Sequence, residues 1–300
     1  IRDGILALAT GFGTYATLNM LVNIGNNRYR LIDFWTGTYR AATGSGALNT
    51  LPISVAPYAV KFEKRLPVKI MFLALFFATI QYMFMLGTRT QFAILLLIVI
   101  LAALQFAYSE QGIAGVLKCI GIMAVISLIA FLLYHFNVLS IRDYILSTNL
   151  AARYQRRASL ENADSFRFQS FWIGLRELIQ YPMGGRASQV YRHNMWLDVG
   201  RVSGIIPFCL LLVYSIKNFA NVTVIWKNTK ILPSLRYLLL FLYIGAYVNC
   251  FVEPIWEGAL NFFLALCVVD GMVSAMMRRL ENDHTPEESV SDTSNLHTDL

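Results

Sequence analysis

Arginine, one exposed-looking histidine and a pair of glutamates are the residues in this 300-residue chain best suited to chemistry. From about residue 135 to 202 the sequence carries Arg142, Arg153, Arg156, Arg157, Arg167, Arg176, Arg186, Arg192 and Arg201, and no lysine. A planar guanidinium matches a phosphate through two parallel N–H donors, which a lysine does not. A diphosphate ligand fits this chemistry. Arg167 falls in the first turn of an expected helix, where a cation opposes the helix dipole. An anionic partner reverses that balance, because the helix N–H groups and the guanidinium then both bind it. Pairing with Asp164 or Glu161 is the alternative, and position alone does not separate the two. Arg89 sits in Gly87-Thr88-Arg89-Thr90 between two apolar blocks. A charge there is costly and often functional, although snorkelling to headgroups also accounts for it. His193, in Arg192-His193-Asn194, is the one histidine of four placed among arginines at the start of an apolar segment. An imidazole titrates near neutral pH and suits a general base; an isolated histidine is more often structural. Glu253 and Glu257 read mainly as partners for arginines, with acid/base work as the alternative, and Arg201 has the i, i+3 spacing from Asp198 that allows pairing on one helix.

The elements that position these residues are set by hydrophobicity. The chain is 56% hydrophobic and 14% charged, against roughly 25% charged residues in soluble domains. The apolar residues cluster into blocks near the 20 or so needed to cross a bilayer. Eight spans are expected, at about 4–22, 45–60, 69–86, 91–107, 113–134, 196–216, 231–251 and 258–276. The expected fold is an all-α polytopic bundle. Lysine and arginine in short loops mark the cytoplasmic side: Lys61, Lys64, Arg65 and Lys69, then Lys217, Lys227 and Lys230, then Arg278 and Arg279. The long loop at about 135–195 then faces the other side, which argues against nucleic acid as its partner. Within it, Asp164-Ser165 and Pro182 bracket a helix ending near Gln180. Phe168, Phe171, Trp172, Leu175, Leu178 and Ile179 share one face at helical spacing. That face suits either the membrane interface or packing on the spans.

Cys119, Cys209, Cys250 and Cys267 all lie in apolar blocks and lack metal-ligand spacing. They read as buried thiols. No phosphate-cradling Gly-rich loop or zinc motif is present, so no metal or cofactor is expected. The chain starts at Ile1 and enters a span almost at once, which reads as an N-terminal truncation. The acidic segment 281–300 reads as a disordered cytoplasmic tail, leaving 1–280 as one membrane domain.

Several of these residues together form a pattern. Gly87-Thr88-Arg89-Thr90 opens a span. Arg167, Trp172, Tyr181-Pro182-Met183-Gly184-Gly185, His193-Asn194 and Gly204 follow in order. Over about residues 25–275 this resembles the O-antigen ligase and polymerase superfamily. The resemblance implies a GT-C type membrane glycosyltransferase in the bacterial inner membrane, with its active face periplasmic. It implies metal-independent transfer of a glycan from undecaprenyl diphosphate to a hydroxyl of lipid A core or of another glycan. It makes Arg89 and Arg167 diphosphate binders and His193 the candidate base, with Arg186, Arg192 and Glu253 in support. Ligase and polymerase remain alternatives within it. A polysaccharide-lipid transporter or flippase is the alternative outside it, with Asp270 the clearest charge within a span; a purely structural subunit is the last reading.

Overall fold

The computed structural model describes residues 1–24, 30–158 and 163–282. The side chains of 30, 40–43, 156–158, 163–167 and 281 are outside the description, and with them that of Arg167; the acidic segment from 283 onward lies outside the described residues.

Helix α1 runs from Arg2 to Val22. Two short strands, β1 (Arg30–Ile32) and β2 (Tyr39–Ala41), then pair antiparallel, with Ile32 opposite Tyr39. Helices α2 (Ala42–Ala47), α3 (Thr50–Phe62), α4 (Leu66–Leu86) and α5 (Arg89–His135) follow. The segment expected as a long loop contains α6 (Ile141–Ser147), α7 (Asn149–Ala158) and α8 (Ala163–Gln180). The chain continues through α9 (Met195–Ser203), α10 (Ile205–Lys227), α11 (Pro233–Val252), α12 (Ile255–Gly258) and α13 (Leu260–Asn282). Among the described residues, α1, α4, α5, α10, α11 and α13 are long and apolar enough to cross a membrane. The protein is therefore a helical membrane protein.

Two expected spans differ from the structure, and two others are joined into one helical run. The segment 45–60 is divided at Leu48 and Asn49, and α3, with 13 residues, is shorter than a bilayer crossing. It is instead buried on nearly every side against α4 and α11. The segment 196–216 is broken at Gly204, whose φ of 95° lies in the left-handed region. A Cβ there would come 2.4 Å from Pro182 O. Only Ile205–Lys227 forms the long helix. The segments 91–107 and 113–134 belong to one helical run, α5. At 1.5 Å per residue its 47 residues would reach about 70 Å, over twice a hydrocarbon core of about 30 Å. Gly112 breaks it, with φ 62° and ψ −144°. A Cβ on Gly115 would lie 2.3 Å from Ala107 O, so the chain doubles back there. Beyond the bend, the Tyr144 hydroxyl donates to Gln81 at 2.9 Å and Asn149 Nδ2 donates to Met85 O at 2.6 Å. The chain has by then returned to the end of α4.

The bundle has a basic end and a far end. At the basic end Arg65 donates to Glu63 through Nε at 3.0 Å and Nη2 at 3.1 Å, and to Asp3 at 2.8 Å. Lys61 pairs with Glu110 beside the α5 bend. Helices α1 and α4 both start here. At the far end lie α6 to α9, α12 and the β-hairpin.

The core centres on α3 and α11, where Val55, Tyr58, Leu238, Leu242 and Tyr243 pack together. Gly245 permits this approach: a Cβ there would meet Ser54 Oγ at 2.1 Å but Ser54 Cβ at 3.3 Å. Gly245→Ala is expected to lower stability by about 1–3 kcal/mol through overpacking. Adding Ser54→Ala should recover most of that loss in thermal unfolding of the purified protein in detergent. The Arg65 hydrogen bonds hold the Glu63 carboxyl down at about 2, below its ordinary 4.5. Its stabilising contribution is full above pH 4.5 and is lost as pH falls toward 2. Across that window the wild type should lose more stability than Glu63→Gln.

Candidate functional site at the far end

The segment Pro182–Asn194 is held against α9 by backbone pairing and one buried side chain. A helix leaves its last carbonyls without intrahelical partners. Here Gly185 N donates to Val202 O at 2.9 Å and Arg186 N donates to Arg201 O at 3.1 Å. Ile205 N donates to Pro182 O at 2.8 Å. Gly184 and Gly185 have φ of 75° and 77°. A Cβ on Gly184 would come 2.5 Å from Gly204 N, so glycine is required where these two turns cross.

Arg201 fixes the same segment from beneath. Its side chain is fully buried. Nη1 donates to Arg186 O at 2.5 Å, Gln189 O at 2.8 Å and Ala187 O at 3.1 Å. Nη2 pairs with Glu257 of α12, and Nε lies 3.7 Å from Asp198 Oδ1. The expected i, i+3 pairing of Arg201 with Asp198 is present, as is the pairing of Glu257 with an arginine. Asp198 Oδ1 also accepts from Arg192 N at 2.6 Å. Burial pushes the Asp198 carboxyl up, while the Arg192 N–H and the Arg201 guanidinium pull it down.

His193 ends this segment in the left-handed region, with φ 55°. A residue with a Cβ is held there only by its surroundings. The Tyr191 ring meets the imidazole edge-on at 4.7 Å between centroids. Asn194 follows as the N-cap of α9: its Oδ1 accepts from Leu197 N at 3.1 Å and its Nδ2 donates to Phe251 O at 3.2 Å. One side chain thus ends the loop, starts α9 and ties both to the end of α11.

Helix α8 covers this junction. Ser170, Gly174, Glu177 and Leu178 face inward. Phe168, Trp172 and Ile179 face outward, so the expected apolar face is divided between packing and exposure. Glu177 receives Arg192 twice, from Nε at 2.9 Å and Nη2 at 2.6 Å. Arg186 lies 3.9 Å from the same carboxylate and over the Tyr181 ring at 4.2 Å. The guanidinium of Arg192 is thus largely engaged within the protein. Sequence reading missed Glu177, because an acid on a helical face has no local mark of burial.

Arg89 stands in the first turn of α5, after the left-handed Gly87 (φ 66°). Helix α7 docks on this turn: Arg153 Nη1 donates to Gly87 O at 2.8 Å, and the Tyr154 ring centroid lies 6.0 Å from the Arg89 guanidinium. Thr90 donates to Glu253. Beneath, Gln91 Nε2 donates to Asn249 Oδ1 at 3.4 Å, and Asn249 Nδ2 donates to Thr50 Oγ1 at 2.9 Å.

Two hollows result, and Val252 lines both. One, of about 320 Å³, is lined by Arg89, Thr90 and Tyr154 and by Ala93, Ile94, Leu97 and Val248 of α5 and α11. The other, of about 460 Å³, is lined by Phe168, Phe171, Arg192, His193, Asn194 and Phe251. Arg89 and His193 are thereby brought to adjacent hollows, although 104 positions separate them in sequence. The backbone of Arg167 immediately precedes Phe168 on α8; its side chain is outside the description. Arg186 and Glu253 border the site without lining either hollow. Among the described residues there is no group of His, Cys, Asp and Glu able to hold a metal ion.

If Arg201 organises this end, Arg201→Met should cost about 3–5 kcal/mol, since it leaves the fully buried Asp198 carboxylate without that cation and three loop carbonyls without its donors. Arg201→Lys should recover little of it, because an ammonium lacks the fork that reaches both α12 and the loop. Thermal unfolding, with limited proteolysis of residues 182–194, reads both outcomes. No protein-family model matches the chain, and no curated protein matches it.

Proposed function

We propose that this protein is a membrane glycosyltransferase of the O-antigen ligase type. It transfers a glycan from undecaprenyl diphosphate to an acceptor hydroxyl, such as one on lipid A core, on the periplasmic face of a bacterial inner membrane. The observation that carries this reading is the pair of hollows meeting at Val252. A carrier lipid has an anionic head and an apolar chain. The Arg89 hollow sets a guanidinium beside apolar side chains of α5 and α11. The positive end of the α5 dipole adds to the attraction for an anion. The neighbouring hollow supplies His193 and aromatic walls to an acceptor.

In this mechanism the acceptor oxygen attacks the anomeric carbon and the bond from that carbon to the diphosphate oxygen breaks. The bonding pair leaves with the diphosphate, and the acceptor proton passes to His193. Arg89 and Arg167 stabilise the charge that grows on the leaving oxygen. In transfer assays with the purified full-length protein and a lipid-diphosphate glycan, Arg89→Ala and Arg167→Ala should each lower the rate about 100- to 1000-fold. His193→Ala should impair transfer while leaving donor binding intact. Near-normal transfer by both arginine variants would defeat the reading. Polymerisation of repeat units uses the same groups; the products distinguish the two, glycan on lipid A core or lengthened carrier-linked glycan.

A second reading, transport of a polysaccharide-linked lipid, draws on Asp270. This buried carboxylate of α13 accepts from Tyr214 at 2.7 Å, Asn218 at 3.0 Å and Tyr243, beside a hollow of about 370 Å³. Intramembrane acids often serve transport. Lipid movement across vesicles without glycan transfer would favour it.

A further inference from the structure

The β1–β2 hairpin leans back along α1, held at successive turns by Tyr15 and Asn19 of α1 and by Asn23, which caps its C-terminus. Asn23 takes both backbone groups of Ile32, donating to its O at 2.8 Å and accepting from its N at 3.0 Å. One turn down, Asn19 Oδ1 accepts from Phe34 N at 2.8 Å. One turn further, the Tyr15 hydroxyl donates to the Asp33 carboxylate. Asp33 also closes the turn, accepting from Trp35 N at 3.0 Å and Thr36 N at 2.9 Å. Its own N–H donates to Thr38 O at 2.8 Å.

These bonds set the depth of the turn. Helices α1 and α4 run parallel from the basic end, and Ala16 and Met20 pack with Leu31, Tyr82 and Leu86. The turn therefore lies beside the last turns of α4. The 21 residues of α4 make about 31 Å, close to the hydrocarbon thickness of about 30 Å. A hydrocarbon core that begins at the start of α4 therefore ends near this level. There Trp35 is 77% exposed and Tyr39 62% exposed. Phe34 packs between the rings of Tyr15 and Trp35, at 5.9 and 6.0 Å. The Thr36 and Thr38 hydroxyls are 2.7 Å apart and exposed. An indole with an apolar body and one N–H donor belongs at such a boundary.

We propose that the 31–39 hairpin is an interfacial anchor, with Trp35 and Tyr39 inserted into the far-end leaflet and Thr36 and Thr38 at its headgroups. The anchor fixes more than itself. Helix α2 follows β2 directly, and a Cβ on Gly44 would come 2.1 Å from Gly258 O of α12. Glu257 of α12 in turn holds Arg201. The depth of the hairpin is thus passed to the wall beside the candidate site, whatever that site does.

The test is tryptophan fluorescence of the full chain in phosphatidylcholine vesicles, comparing wild type with Trp35→Phe. Lipids brominated near the headgroup should quench most of the emission lost in the variant. Lipids brominated near the chain ends should quench less of it, and aqueous iodide little. Strong quenching by iodide without quenching by the lipids would overturn the proposal, placing Trp35 in water as a platform for glycan or protein. Quenching by neither would overturn it too, as would stronger quenching by the deeper bromines. Trp35→Phe and Trp35→Tyr should both unfold thermally like wild type; if both fail to fold, the indole is not the exposed group that an anchor requires.

Discussion

Arg201 is a guanidinium with no access to water, so its donors must be spent inside the fold. It spends them on three carbonyls of the preceding loop and on a carboxylate from a helix 56 positions later. Burying a cation this way is costly, and the carboxylates of Glu257 and of Asp198, 3.7 Å from Nε, offset that cost. The consequence reaches the whole far end. The loop that bears His193 cannot move from α9 without uncovering the guanidinium. Helix α12 cannot move without taking a countercharge away from the buried guanidinium. A single requirement for satisfaction thus makes a rigid frame out of segments that have little apolar surface of their own.

The same logic explains the polar layer under Arg89. Thr50, Gln91, Asn249 and Glu253 are all buried at this end of the bundle. Each has a hydrogen-bond partner on another helix: Gln91 and Thr50 on Asn249, Glu253 on Thr90. Such bonds specify register between helices that the apolar contacts alone would leave free to slide. They also keep the start of α5 beside the end of α11, and so keep the two hollows adjacent. The glycines do complementary work. Gly87, Gly184 and Gly204 permit backbone turns and contacts in which a Cβ would collide with main-chain atoms.

Much of this was legible in the residues. The positions of most long apolar helices followed from run length, because hydrocarbon demands apolar side chains for some 20 positions. The end of α8 at Gln180 followed from Pro182 and the two glycines after it. Pairing of Arg201 with Asp198 followed from helical spacing. The eight expected spans were harder. Hydropathy counted α2 and α3 together as a crossing, and it counted α9 with α10. It reports what a segment can face, and a segment buried against protein looks the same as one facing lipid.

The sequence by itself determined that the chain lives in a membrane, which residues are costly there, and that arginines and one histidine gather at one end. These depend on side-chain transfer energies and local spacing, which neighbours in the chain carry. Only the tertiary structure decided that Arg192 is engaged by Glu177, that Arg89 stands over Tyr154, and that the Arg89 and His193 hollows share Val252. These depend on which helix ends meet. That is settled by close packing at glycines and by buried polar groups finding partners more than a hundred positions away. No local pattern records such a meeting, because each partner's own surroundings in sequence are unremarkable without the other.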